Sequence, residues 1–387
     1  MKIALVTETF PPEINGVAMT LGHLVEGLAQ RGHNVTVTRP RQGKADRPRA
    51  DGLYAELLCP GVPIPGYTML RAGLPVRGRL LHAWSTERPD LVHIATEGPL
   101  GYAALSAAGK LGIPMSSSFH TNFHSYSQHY GFSFLNRPAL AYLRHFHNRT
   151  HITLSPTVEL NDELTRDGFR GMRLLSRGVN TVVFSPAHRS EALRREWGAA
   201  PDDLVVIHVS RLAAEKNYAL LIEAWTAIRA QHPRARFIMA SDGPLRKQLQ
   251  RRHPWIHFTG FLSRAELARH YASADLFLYP SLTETFGNVL TESMASGLAV
   301  VAFNYAAAAR YLHAGENGIP VPLDDRNAFT AASLQLAGDA TLRHRLATAA
   351  RQTAEDISWT HVIDGFERDL LEVASLPPAD RLTVSTV

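Results

Sequence analysis

Cysteine is almost missing from this chain: Cys59 is the only one. An intramolecular disulfide is therefore excluded, and a reducing, cytoplasmic setting is the expected home. No run of about 20 apolar residues occurs, so no segment is expected to cross a bilayer as a helix. The opening Met1-Lys2-Ile3-Ala4-Leu5-Val6 runs straight into a polar turn, too short an apolar stretch for a secretory signal. There is no Asp-x-Asp to grip a divalent ion and no His-Glu-x-x-His to hold zinc. Charge of one sign is also scarce. Lys and Arg total 40 against 35 Asp and Glu, for a net charge of +5. That balance suits an anionic ligand, but the arginines are scattered and no nucleic-acid motif accompanies them.

What is present is a globular composition, with 45% apolar residues over 387 positions. This is too long for one ordinary core and suits two domains. Short apolar runs alternate with helical patterns. Strand candidates are Ile3–Thr7, Val35–Thr38, Leu91–Ala95, Pro114–Phe119 and Ile152–Leu154 in the first half. Leu204–Val209, Arg236–Ala240, Asp275–Tyr279 and Leu298–Phe303 follow in the second. Such alternation implies α/β architecture, with parallel sheets covered by helices. Ser263 followed by Glu266 reads as a capping box. The pattern breaks near Asn180–Ser190. The expected division is residues 1–182, residues 183–356, and a last helix over 357–376 with Trp359, Val362, Ile363, Phe366 and Leu370 at helical spacing.

Three turns at strand ends carry the chemistry. The first runs from Pro280 to Gly297, leaving a strand and opening a helix. Gly287, with Phe286 and Asn288 beside it, would let backbone approach a ligand, and the helix start would favour an anion. Glu284 and Glu292 bracket that turn. On spacing alone, a strand–helix unit with two surface glutamates accounts for the pattern equally well. The second turn, Val209 to Asn217, offers Arg211 and Lys216 to a diphosphate; alone it would read as a solvated loop. The third is Ser241-Asp242-Gly243-Pro244. Ligands of open parallel sheets sit at such strand ends, and three ligand-type turns together outweigh each one singly. His120 and His124 stand four apart, but no third metal ligand follows. His120 reads as a group near a sugar or as a satisfied structural histidine.

The combined pattern resembles the retaining glycosyltransferases of GT-B fold, family GT4, over nearly the whole chain. Glu284 and Glu292 match the E-x7-E motif of that family, and Arg211 with Lys216 its paired basic residues. Thr9 to Val17, with Gly16, resembles the glycine-containing first loop. Phe119-His120-Thr121 resembles the segment with a sugar-facing histidine. Asn15, Ser241 and Asn180 depart from common family residues, and Ala306–Ala309 replaces a glycine-rich turn that often contacts the sugar.

The resemblance implies two Rossmann-like domains facing across a cleft, with the last helix crossing back to the first. It implies transfer of a hexose from a nucleotide diphosphate sugar with retention. GDP-mannose is favoured over UDP-glucose, and the acceptor is a lipid or saccharide. Arg211 and Lys216 would stabilise the leaving diphosphate without a metal. Glu292 would take the ribose hydroxyls, Glu284 the sugar, and His120 its outer hydroxyls. Gly16, Asp242, Gly243, Phe286, Gly287 and Asn288 complete the donor-binding set.

A UDP-glucose-dependent glucosyltransferase has the same fold. An NAD-dependent oxidoreductase lacks its G-x-G-x-x-G, since Pro11-Pro12 follows the first strand. A non-catalytic sugar-binding protein and a sugar phosphorylase complete the set. Peripheral contact with an anionic membrane is expected if Leu140, Tyr142, Leu143 and Phe146 form an apolar stripe beside Arg137, Arg144 and Arg149; a core-packed helix is the alternative.

Overall fold

The computed structural model describes residues 1–376 except 14, 50–51, 65–66, 121–135, 211, 213–215, 244 and 285. The chain divides into two compact units. Among the described residues, the first holds 1–120, 136–177 and 359–376, and the second holds 178–358.

The first unit is built on β1 (Lys2–Val6), β2 (Asn34–Pro40), β3 (Ala55–Cys59), a hairpin of β4 (Gly61–Ile64) and β5 (Tyr67–Gly73), β6 (Leu91–Ile94), β7 (Met115–Ser118), β8 (Ile152–Ser155) and β9 (Met172–Leu174). Seven of these strands form one sheet in the order β3-β2-β1-β6-β7-β8-β9. Their pairings are parallel, with Lys2 opposite Asn34 and Ile3 opposite Leu91. Ile3, Leu5, Val37, Leu91 and Leu154 are buried on one face with the Gly16–Gln30 helix. Ala4, Val6, Val92 and Ile94 are buried on the other with the Pro99–Leu111 helix. That helix starts on Pro99 and stops at Gly112, whose φ of 61° is left-handed, the usual punctuation by both residues.

The second unit repeats the plan with β10 (Val205–Val209), β11 (Arg236–Ala240), β12 (His257–Phe258), β13 (Leu276–Tyr279), β14 (Ala299–Phe303) and β15 (Ile319–Val321). The order β12-β11-β10-β13-β14-β15 reverses direction between β10 and β13, as the first sheet does between β1 and β6. Both are the doubly wound orders whose ligands sit where the order reverses. The Ser263 capping box is formed in full.

The last helix, Trp359–Ser375, belongs to the first unit. Ile363, Phe366, Leu370 and Val373 join the core beside Leu21, Leu24, Val25 and Leu28. Arg31 pairs with Asp364 and Glu367, and Arg173 with Asp369 and Glu372. These ion pairs are at least partly exposed and orient the helix more than they stabilise it. The division between units falls earlier than the sequence break suggested. Val179 and Phe184 lie in the core of the second unit, and Val179 N donates to Ile357 O, so residues 178–182 and 357–358 go with that unit.

Candidate functional site

Lys216 and Glu284 follow β10 and β13, the two strands flanking the reversal in the second sheet. Their side chains meet. The Lys216 ammonium donates to Glu284 Oε1, to Ser281 Oγ at 3.3 Å and to the Thr283 carbonyl at 3.4 Å. The same carboxylate oxygen accepts from the Tyr279 hydroxyl and, at 2.7 Å, from Ser281 Oγ. Both side chains are largely buried. A buried ammonium must be paired, and this one spends its donors on fixed oxygens, so its charge is held in place before any ligand arrives.

Gly287 precedes the Asn288–Ala295 helix with φ 93° and ψ 60°, a conformation that disfavours any residue with a Cβ. A Cβ at Gly287 would lie 3.6 Å from Glu284 Cγ, so the start of the helix lies beside the carboxylate partner of Lys216. Phe286 is buried and its carbonyl accepts from Ala307 N. A water-sized pocket of about 10 Å³ lies among Tyr279, Ser281, Glu284, Phe286, Ala307 and Ala308. Ala306, which leads into that segment, has φ 53° and ψ −124°.

Glu292 sits one turn inside the same helix. Its carboxyl accepts a long contact, 3.4 Å, from the Tyr271 hydroxyl. Burial raises its pKa to about 7; Arg264 and the tyrosine oppose that shift only in part.

In the third turn, Asp242 Oδ1 accepts from Gly243 N at 2.7 Å and Oδ2 from Arg246 at 2.6 Å. A Cβ on Gly243 would fall within 3 Å of the Leu212 backbone. The glycine therefore lets this turn clasp the loop after β10, and Leu212 N donates to Asp242 O. Asp242 and Gly243 thus act on the loop that carries Lys216. Arg211 lies outside the described residues, as do Pro244, Thr121 and His124.

In the first unit, Gly16 opens the first helix, and Asn15 caps it by accepting from Ala18 N at 2.8 Å. Asn15 also donates to Thr9 and Glu13, which ties down the loop after β1. His120 stands just beyond β7 and is buried, and neither ring nitrogen has a hydrogen-bond partner among the described residues. Burial, then Arg177, His93 and His147, push its pKa well below the ordinary value. It is a neutral imidazole with one donor and one acceptor unspent. Among the described residues, no group of three His, Cys, Asp or Glu is arranged to hold a metal.

Sequence reasoning overlooked a second cluster. Glu8 and Glu97 follow β1 and β6, the strands flanking the reversal in the first sheet, and line a cavity of about 790 Å³. The strand-end rule that found Lys216 and Glu284 would have found them, but no spacing motif marks them. The expected membrane stripe is corrected by the structure. Leu143 is 4% and Phe146 0% exposed, packed in the interior of the first unit, so they are not available to a bilayer. Leu140 is half-buried, and Tyr142 is exposed but donates to the Glu97 carbonyl.

The family profile described as "Glycosyltransferase Family 4" matches residues 14–183, and that described as "Glycosyl transferases group 1" matches residues 203–339. A GDP-mannose-dependent alpha-mannosyltransferase of Mycolicibacterium smegmatis is 33% identical, over 94% of this chain and 95% of its own. An alpha-monoglucosyldiacylglycerol synthase of Acholeplasma laidlawii is 30% identical, over 82% and 84%. Among solved structures, sucrose-phosphate synthase from Thermosynechococcus elongatus superposes with a TM-score of 0.78 at 17% identity, over 96% of this chain and 98% of its own. HepE of Anabaena in complex with UDP gives 0.75 at 20% identity, over 96% and 100%.

Proposed function

Because this chain belongs to the family 4 and group 1 glycosyltransferases and has the GT-B fold, we propose that it moves mannose from GDP-mannose to a lipid or saccharide acceptor, with retention at the anomeric carbon. The fold and family remove the NAD-dependent oxidoreductase reading. The observation that carries the reading is the Lys216–Glu284 pair beside the start of the Asn288–Ala295 helix, at the reversal of the second sheet. A diphosphate gains charge as it leaves, and a preorganised ammonium with a helix dipole stabilises that charge at little reorganisation cost. Arg211 supplies the second cation, as a planar fork onto phosphate oxygens.

As the diphosphate takes a share of Lys216, Glu284 is released toward the sugar. Glu292 accepts the ribose hydroxyls, and His120 meets the outer hydroxyls of the sugar through its unspent nitrogens. Asp242, Gly243, Phe286, Gly287 and Asn288 shape the donor loop, and Gly16 brings backbone close to the donor. The leaving phosphate itself assists a same-face substitution, so no covalent nucleophile and no metal is required. The mannosyl donor is supported by the name of the 33% identical relative; the A. laidlawii relative favours UDP-glucose as the second reading.

The test is hydrolysis of GDP-mannose, UDP-glucose and UDP-N-acetylglucosamine by the same preparation. GDP-mannose is expected to turn over fastest. A clear preference for UDP-glucose would transfer the proposal to glucosyl transfer. The work is proposed to take place in the cytoplasm; no described helix is long and apolar enough to cross a membrane. Peripheral contact with an anionic bilayer then rests on exposed basic residues such as Arg77, Arg79, Arg137 and Arg144. Flotation with anionic but not neutral vesicles checks it.

A further inference from the structure

The reversal point of the first sheet carries its own cavity. Glu8 and Glu97, on the loops after β1 and β6, are among its lining residues. Its walls are Pro75, Pro99, Leu143 and two tyrosines, Tyr102 and Tyr142. The tyrosine rings lie 6.4 Å apart at 26°, and both are about 40% exposed. At about 790 Å³ the space is in the range of sites for one small molecule, roughly 300–1,000 Å³.

The two carboxylates are built in. Glu8 Oε1 accepts from Leu100 N at 3.0 Å, over the start of the Pro99–Leu111 helix. Gly98 makes room for it, since a Cβ there would lie 2.0 Å from Glu8 Oε2. Glu97 is 8% exposed and touches His147 at 3.4 Å through Oε1. Among the described residues, the Oε2 atoms of Glu8 and Glu97 have no hydrogen-bond donor. Burial, and then the neighbouring Glu97 charge, raise the Glu8 pKa to about 7 against the helix-start hydrogen bond. Among the described residues, no Lys or Arg lines the cavity.

We propose that this cavity binds a neutral, hydroxyl-rich glycoside with an apolar aglycone, and turns away phosphorylated headgroups. Sugar hydroxyls would donate to the carboxylate oxygens that face the cavity and accept from no protein donor among the described residues. The flat tyrosine faces and the proline wall suit sugar C–H faces and a hydrocarbon chain. A phosphate would meet two carboxylates and, among the described lining residues, no Lys or Arg, a like-charge contact that works as negative selection. That the bound glycoside is the acceptor of transfer rests on the function proposed above.

The test is calorimetric titration of the full chain at pH 8, above the raised Glu8 pKa, with octyl glucoside below its micellar concentration and with octyl phosphate. Octyl glucoside is expected to bind saturably. Tyr102→Ala and Glu97→Gln should each weaken it roughly tenfold. Octyl phosphate should bind at least tenfold more weakly than the glucoside, and a Glu8→Gln, Glu97→Gln double variant should narrow that gap. Equal or tighter binding of octyl phosphate to the wild-type chain would overturn the proposal. So would unchanged glucoside affinity in Tyr102→Ala, an exposed position whose loss leaves the core intact. The titration needs no donor. Lost glucoside binding with GDP-mannose hydrolysis retained sinks this inference alone, and the converse sinks the donor reading alone.

Discussion

Lys216 and Glu284, 68 positions apart in sequence, form one buried ion pair at the point where the second sheet reverses its strand order. The pair explains how a positive charge is kept ready inside a protein. Three hydrogen-bonded oxygens hold the ammonium, and Tyr279 and Ser281 hold the carboxylate. Removing either partner leaves the other buried and less compensated, which costs more than the pair itself contributes.

Glu292 has a pKa raised to about 7 by burial. Ribose hydroxyls donate best to the ionised form, so GDP affinity should strengthen as pH rises through 7. Glu292→Gln should abolish that dependence. The sign for stability is opposite. The folded state binds a proton more tightly than the unfolded state, so stability is lost as pH rises from about 4.5 to 7. Glu292→Gln should therefore raise Tm at pH 8, by roughly 2–4 °C per kcal/mol recovered, and leave it unchanged near pH 4. GDP affinity that is flat with pH in the wild type would speak against the ribose role.

His120 is neutral and buried with both nitrogens unspent. His120→Ala should lower kcat, roughly 10–100-fold on the scale of one lost transition-state hydrogen bond, with GDP affinity unchanged. Equal losses in kcat and in GDP binding would make it a packing residue of the first unit.

Much of the frame was legible in the sequence, for physical reasons that single residues illustrate. Leu204–Val209 and Arg236–Ala240 are short apolar runs buried on both faces, so they read as parallel strands and are β10 and β11 within one residue. β9 and β12, of three and two residues at sheet edges, carry too little burial to leave a pattern. The Glu284–Lys216 contact joins two loops through a sheet order that no local spacing encodes. Glu8 and Glu97 also stand at strand ends, but no spacing motif marks them. The Leu143 and Phe146 stripe was read correctly as apolar, but periodicity alone does not say which side of a helix faces the core.

Ala306 stands where relatives of the resembling family often have glycine, and its φ of 53° with ψ of −124° is strained for a residue with a Cβ. Ala306→Gly should stabilise the second unit by about 1 kcal/mol, the relieved strain less the added chain entropy. Denaturant unfolding reads it. The ordinary outcome for alanine to glycine, a loss of roughly 0.5–1 kcal/mol, would show the turn is not strained.

Phe366 on the last helix is 1% exposed in the core of the first unit. Phe366→Ala should destabilise that unit by about 3–5 kcal/mol. A change under about 1 kcal/mol in urea unfolding would mean that the helix only rests on the surface.

We propose that protein cations, and no divalent ion, carry the charge of the departing diphosphate. The direct measurement is mannosyl transfer from GDP-mannose in excess EDTA, run beside Lys216→Ala and Arg211→Ala. Full activity is expected in EDTA, with a loss of roughly 10²–10³ in kcat for each variant, the scale of one lost charge-stabilising donor. Activity abolished by EDTA and restored by magnesium, with both variants near wild type, would contradict it.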